Sequence, residues 1–283
     1  MKGNGAVESL KIEYTKKMGR QNGILPYVGK LGETVGYRRG KEHYTRKKTA
    51  SYQPSEESLK SANEFGKGSS ASALVRKAFK PLFFAPFEEN LHSRLAEVFR
   101  KIMRSGPEAL KGNRRVYDGN VSLLKGFECS THAKLENLCT QWPGLSLNQQ
   151  QLIIDFLPIK VKNQIKWPPK ADKALFMVGF AAFDFEQSSF QLSLSEPLTI
   201  EKTADFTGGQ LAFNIPKQKE QIIMVMMNLR YRSSGIINNQ KFLAGAIVDA
   251  FHLKEGKIVH FEPEEKALKP EPEEPILVQW KKI

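Results

Sequence analysis

Cysteine is nearly absent: Cys129 and Cys139 are the two in 283 residues. At most one bridge can form, so no disulfide framework holds the fold, and two reduced thiols are the expectation for a chain this long. Long apolar runs are missing as well. Nothing approaches the roughly 18 consecutive apolar residues that span a bilayer, and the first twenty residues hold no apolar stretch of signal-peptide length. Together these absences predict a cytoplasmic or intracellularly assembled protein with no membrane span. Acidic residues are scarce in one half. Residues 1–150 carry 26 Lys and Arg against 14 Asp and Glu, a net +12, whereas residues 151–283 carry 17 against 16. Such asymmetry points the first half toward a polyanion: nucleic acid, an anionic surface or an acidic protein. The competing reading is a solvated lysine-rich surface.

Catalytic signatures are missing too. No G-x-S-x-G elbow, H-E-x-x-H helix or G-x-G-x-x-G turn occurs. Gly66-Lys67-Gly68-Ser69 suggests a phosphate loop, but Ser61 stands where the earlier glycine is needed, Gly68 stands where Ser or Thr should hold magnesium, and an inter-helix turn is the expectation. Cys129, His132 and Cys139 could offer three zinc ligands, yet no CxxC pair or fourth ligand accompanies them. His252 and His260 follow an apolar strand and read as surface or edge residues. No enzyme activity, cofactor or metal is expected.

What is present is an ordinary globular mixture, 40% hydrophobic and 26% charged, which excludes wholesale disorder. Residues 1–22 are polar and read as a flexible basic tail. From residue 23 to 48, Gly29, Gly32, Gly36 and Gly40 punctuate short runs, which predicts small hairpins over a helix. Helices follow: one capped near Ser55, a second over residues 69–80 ended by Pro81, and a third from Pro86 to Ser105. The third carries Phe87, Leu91, Leu95, Val98, Phe99 and Ile102 as one apolar stripe. A short helix is expected near residues 133–139. Beyond Trp142-Pro143-Gly144 the period changes to that of strands. Residues 190–195 alternate, residues 174–183 are apolar on both faces, and Ile223, Val225, Met227, Leu229 and Tyr231 share a face. Asn238-Asn239 offers a turn, residues 263–275 form an acidic proline-rich spacer, and residues 276–280 read as a last strand. The expected fold class is α+β: small hairpins and helices in a region spanning 23–143, then an all-β immunoglobulin-like sandwich over 144–283.

The most informative run lies between residues 37 and 48. Arg38, Arg39, Lys41, Arg46, Lys47 and Lys48 put six cations there, with Tyr37 and Tyr44 interleaved. Guanidinium and ammonium groups suit phosphates, and tyrosine rings suit bases. Charge runs are more often solvated and hairpin aromatics more often pack on their own protein, so the pattern alone is of modest specificity.

Asn22-Gly23-Ile24-Leu25, Gly29-Lys30-Leu31-Gly32, Val35-Gly36 and Arg39-Gly40 together resemble the opening of a Bacteroidota family of unknown function. That family carries a Trp-Lys pair where this chain has Tyr37-Arg38. The resemblance implies a glycine-rich basic start, helices and an immunoglobulin-like C-terminal half. It implies no activity, only an architecture used for binding or assembly.

The sequence therefore predicts a non-enzymatic binding or assembly protein that contacts nucleic acid or another polyanion through its basic half. The alternative is a structural subunit of a virion-like or surface assembly, using the β-domain for contacts with a protein partner or with itself. Folding that needs neither disulfide nor metal has a direct consequence. Changing both Cys129 and Cys139 to Ser should cost no more than the few kcal/mol of a buried-thiol substitution, and a chelator should leave the circular dichroism spectrum unchanged. Unfolding by chelator would revive the zinc reading.

Overall fold

A computed structural model of the chain describes residues 18–21, 26–48, 53–83, 90–148 and 150–264. The chain forms two compact units, Met1–Ser55 and Glu56–Ile283.

In the first unit, strands β1 (Met18–Arg20), β2 (Gly29–Leu31), β3 (Thr34–Arg39) and β4 (Glu42–Lys47) make an antiparallel sheet in the order β1-β4-β3-β2. The predicted hairpins are there, closed by the two-residue connections Gly32-Glu33 and Gly40-Lys41. Gly40 has φ +64°, a region open to glycine without a steric cost. Part of the segment read as a tail is structural: Met18 and Arg20 pair with Arg46 and Tyr44. The rest of that tail lies outside the described residues.

In the second unit, α1 (Glu56–Ala78) is one helix where the sequence predicts two. Gly66 and Gly68, expected to mark a turn, lie in its interior. The reason is tertiary packing. Gly68, Ala71, Ser72, Val75 and Ala78 recur at i, i+3, i+4, i+7 and i+10 and form a buried face of mostly small residues. A Cβ at Gly68 would meet Met103 Cε at 3.1 Å and Arg100 Cγ at 3.2 Å, both on α2 (Leu91–Ser105). Close approach of the helices outweighs glycine's helix penalty of about 1 kcal/mol. Ser72 Oγ adds a hydrogen bond to the His92 carbonyl at 3.2 Å. The stripe of α2 is buried as its spacing predicts, at Leu91, Leu95, Phe99 and Ile102, with Ala96 and Met103 beside it. Its expected start at Pro86 lies outside the described residues.

The chain then runs through β5 (Phe127–Glu128), α3 (Leu135–Leu138), β6 (Gly144–Leu147), β7 (Gln151–Phe156) and α4 (Val161–Gln164). Next come β8 (Lys173–Asp184), β9 (Ser189–Leu194), β10 (Leu198–Glu201) and β11 (Gly209–Asn214), then β12 (Glu220–Arg232), β13 (Ala244–Lys254) and β14 (Lys257–Ile258). The large sheet has the order β10-β8-β12-β13-β14, with β9 also on β8 and β5 also on β13. A smaller sheet has the order β11-β7-β6. The fold class is α+β with a β-sandwich.

One face of the large sheet packs on the small sheet. Phe176, Val178 and Phe180 of β8 and Ile223, Val225, Met227, Leu229 and Tyr231 of β12 share a core with Leu152, Ile154, Phe156 and Phe213. Phe180 and Phe213 stack at 5.5 Å between centroids. The other face, with Ala181, Phe183, Ile222, Met224 and Met226, packs on α1, α2 and the 3-10 turn Lys80–Leu82. Helices and strands thus share one core across Pro143 and Gly144, where the sequence reading puts a boundary, and the division into units falls at Ser55 instead. The expected last strand at 276–280, and all but the first residues of the acidic spacer, lie outside the described residues. No helix among the described residues is long and apolar enough to cross a membrane.

Gly179 is a point of close contact between β8 and the helical layer. A Cβ there would overlap Leu82 and lie 3.3 Å from the Phe79 ring. Asn228, fully buried on β12, donates to the Leu82 carbonyl at 2.7 Å. Gly179→Ala should destabilise the protein by about 1–3 kcal/mol, the cost of overpacking. Gly235→Ala, where a Cβ meets nothing within 4 Å, should shift the urea midpoint far less; equal shifts would contradict this account.

Candidate functional site

The β3–β4 hairpin carries the cationic run, and strand alternation splits it. Because side chains at i and i+2 share a face, and Tyr37 pairs with Tyr44, one face holds Tyr37, Arg39, Glu42, Tyr44 and Arg46. Register extends this face to Arg20 of β1, opposite Tyr44, and to Lys30 of β2, opposite Val35. Arg38 and Lys47 take the other face with His43 and Thr45, Lys41 sits in the turn, and Lys48 follows the strand. The six cations of the run are all exposed, while Tyr37 and Tyr44 are half-buried.

Contacts among these side chains bear out the face assignment. The Tyr37 and Tyr44 rings stack with centroids 5.9 Å apart and planes 24° from parallel. The Tyr44 hydroxyl donates to Glu42 Oε2 at 2.7 Å, and Arg20 Nη2 lies 2.6 Å from Glu42 Oε1. The hydrogen bond to Glu42 is the main reason that the Tyr44 hydroxyl holds its proton above the ordinary tyrosine range. Glu42 is the one carboxylate that the strands place on this face, and Arg20 neutralises it. Arg39, Arg46 and Lys30 therefore surround the tyrosine pair as a net excess of positive charge.

The opposite face is organised by Tyr27. Its ring lies where a Cβ at Gly36 would come within 2.7–2.8 Å, and its hydroxyl and Thr34 Oγ1 are 2.6 Å apart. The run's first cation is partly committed there: Arg38 Nε donates to the Gly40 carbonyl at 2.8 Å, which braces the turn. The sequence run thus contains two groups with different surroundings. Arg20 and Lys30 lie outside the run and join the tyrosine face only through strand pairing, for which no local signal exists.

The other sequence candidates separate from chemistry. The amides of Gly66-Lys67-Gly68-Ser69 lie inside α1, so they serve the helix and cannot wrap a phosphate; Lys67 Nζ donates to the carbonyls of Asn113 and Arg114. Cys129 and Cys139 form no disulfide with each other, and burial pushes the Cys139 thiol up. Among the described residues no three His, Cys, Asp or Glu side chains come together as a metal site.

His252 differs from its expected place at a surface or edge. It lies within β13, 7% exposed, because the strand continues to Lys254 and its face turns toward the helical layer. Its Nε2 is 3.0 Å from Glu220 Oε1, and its ring is 5.4 Å from that of Tyr117. Together with Tyr117, Asp118, Lys125, Asp249 and His260 it lines a cavity of about 540 Å³. Lys125 and Asp249 there are paired at 2.7 Å. Burial raises the Tyr117 hydroxyl to about 12.

Comparison with protein-family models, with curated proteins and with solved structures finds no match.

Burial lowers the His252 pKa from its ordinary 6.5, and the nearby Lys254 and Arg115 act in the same direction, against the hydrogen bond and charge of Glu220. The folded protein therefore keeps this ring neutral at a pH where the unfolded chain takes up a proton. Above about 6.5 the ring has no effect on the balance, and below it stability falls as the unfolded state gains the proton. Urea unfolding of the wild type and of His252→Gln between pH 7.5 and 5.5 should show the wild type losing more stability. Parallel curves would mean that His252 titrates alike in both states.

Proposed function

We propose that the chain is a non-enzymatic binding protein, in which the four-stranded sheet of residues 18–47 holds a polyanion, nucleic acid foremost. Its β-sandwich, of immunoglobulin-like kind, would serve contacts with proteins. The observation that carries this reading is the face on which Arg20, Lys30, Arg39 and Arg46 surround a stacked tyrosine pair while a single carboxylate, already paired, accompanies them. The exposed guanidinium groups of Arg39 and Arg46, which have no acidic partner among the described residues, are suited to phosphate oxygens, which they contact as a fork of donors. The concentration of +12 of the net charge in residues 1–150 supports the same reading. So does the resemblance of the glycine-rich opening to a family whose architecture suits binding or assembly.

Each phosphate engaged releases a counterion, so affinity for DNA or RNA should fall with salt along a log–log slope of about −0.7 to −0.9 per contact. Reversing Arg39 and Arg46 to Glu should weaken binding and flatten that slope by about two contacts, whereas Lys217→Glu with Lys219→Glu should change neither appreciably. Fluorescence anisotropy at several salt concentrations reads both. Absence of binding at low salt, or equal losses from both pairs, would move the preference to the assembly reading.

A further inference from the structure

We infer that the polyanion is single-stranded nucleic acid, held by stacking of its bases on Tyr37 and Tyr44; this rests on the reading of the sheet as a polyanion surface. Three features of the face distinguish a single strand from a duplex or a plain polyphosphate.

The first is the arrangement in rows. Across the sheet, one row runs Arg20, Tyr44, Tyr37, the next holds Arg46, Val35 and Lys30, and the row on the other side holds Glu42 and Arg39. Rows on one face are two residues, roughly 7 Å, apart. The rings therefore sit between Arg46 and Lys30 on one side and Arg39 on the other. A strand whose bases turn inward onto the rings presents its phosphates outward to those cations, whereas a duplex keeps its bases stacked on each other and shows the sheet its backbone.

The second is width. Four strands spaced by about 4.8 Å span roughly 14 Å between the outer axes, which is more than the roughly 12 Å of a B-form major groove that accepts a two-stranded ribbon. The tyrosine row lies where β1 flanks the hairpin, so these rings cannot follow it into a groove. On a duplex they would have no base to touch.

The third is preorganisation. The Tyr44 hydroxyl is held by Glu42, Glu42 by Arg20, and the Tyr44 ring rests on that of Tyr37. The platform exists before a ligand arrives, so little ring freedom is lost on binding. Stacking uses the π-face that every base has, so sequence preference should be weak and pyrimidine or purine tracts should both bind.

The test uses the full chain and three probes in fluorescence anisotropy: labelled oligothymidylate, a duplex of the same length, and inorganic polyphosphate as competitor. The single strand should bind more tightly than the duplex. Tyr37→Ala and Tyr44→Ala should each weaken the single strand about 5- to 150-fold, the range expected for one stacked base, while the concentration of polyphosphate needed to compete stays within about twofold. Tyr37→Phe and Tyr44→Phe, which keep the rings, should retain single-strand binding. Polyphosphate binding also controls for folding, because a variant that had lost the sheet would lose both ligands. Equal affinity for all three probes, with no effect of the Ala variants, would overturn stacking and leave the polyanion surface standing. Tighter binding of the duplex, carried by Arg38 and Lys41 at the hairpin tip, would overturn it too. Binding of none of the three would overturn both readings.

Discussion

The large sheet is buried on both faces at its centre, and most of the second unit follows from that condition. Strands β8 and β12 are apolar at consecutive positions: Ala181, Ala182 and Phe183 are each within 1% of full burial, and Ile222 through Val225 likewise. Such a strand cannot lie on a surface, since every exposed apolar Å² forgoes about 25 cal/mol of transfer free energy. It requires a layer on each side. The small sheet covers one face with Leu152, Ile154, Phe156 and Phe213, and α1, α2 and the turn after α1 cover the other. Two polar groups that enter this core bond to backbone carbonyls, Tyr231 to that of Lys166 and the Asn228 amide nitrogen to that of Leu82.

Charge is handled differently in the two units. In the larger one a buried cation is tied down: Arg114 is 3% exposed, bonds the Pro107 carbonyl through Nε at 2.9 Å and pairs with Glu64 and Glu108. Arg114 so placed joins α1 to the segment after α2, and losing one carboxylate would leave a desolvated charge. Among the described residues of the smaller unit the cations stand in solvent, and one, Arg20, is spent on Glu42. Positive charge of the first kind is structural. That of the second kind is solvated.

Much of this was readable along the chain where burial imposes a simple period. The stripe of α2, the doubly apolar β8 and the alternating face of β12 from Ile223 to Tyr231 all lie where spacing puts them. What was hidden depended on partners distant in sequence. Gly66 and Gly68 read as a break because local propensity knows nothing of Met103, against which Gly68 packs. His252 read as peripheral because Glu220 and Tyr117, which enclose it, are 32 and 135 residues away. At the tyrosine face the run of residue types was visible, but its partition between two faces needed the register of four strands, and Arg20 and Lys30 join only through it.

The seating of Phe79 and Leu82 at Gly179 and Asn228 has a bearing on how the chain comes to be folded. The bond from Asn228 to Leu82 spans 146 residues. Chains lengthen by about 5–20 residues each second, so roughly 7–30 s pass between the appearance of the turn after α1 and that of the strand which anchors it. Until β8 brings Ala181 and Phe183, the apolar stripe of α2 has no strand beneath it, and α1 and α2 can cover each other only along the face around Gly68. A nascent helical pair must therefore wait, sticky and half-covered, for its platform to be made. That leaves apolar surface uncovered early in synthesis and makes the arrival of β12, and then of β13 with Ile247 and Ala250, the events that close the core.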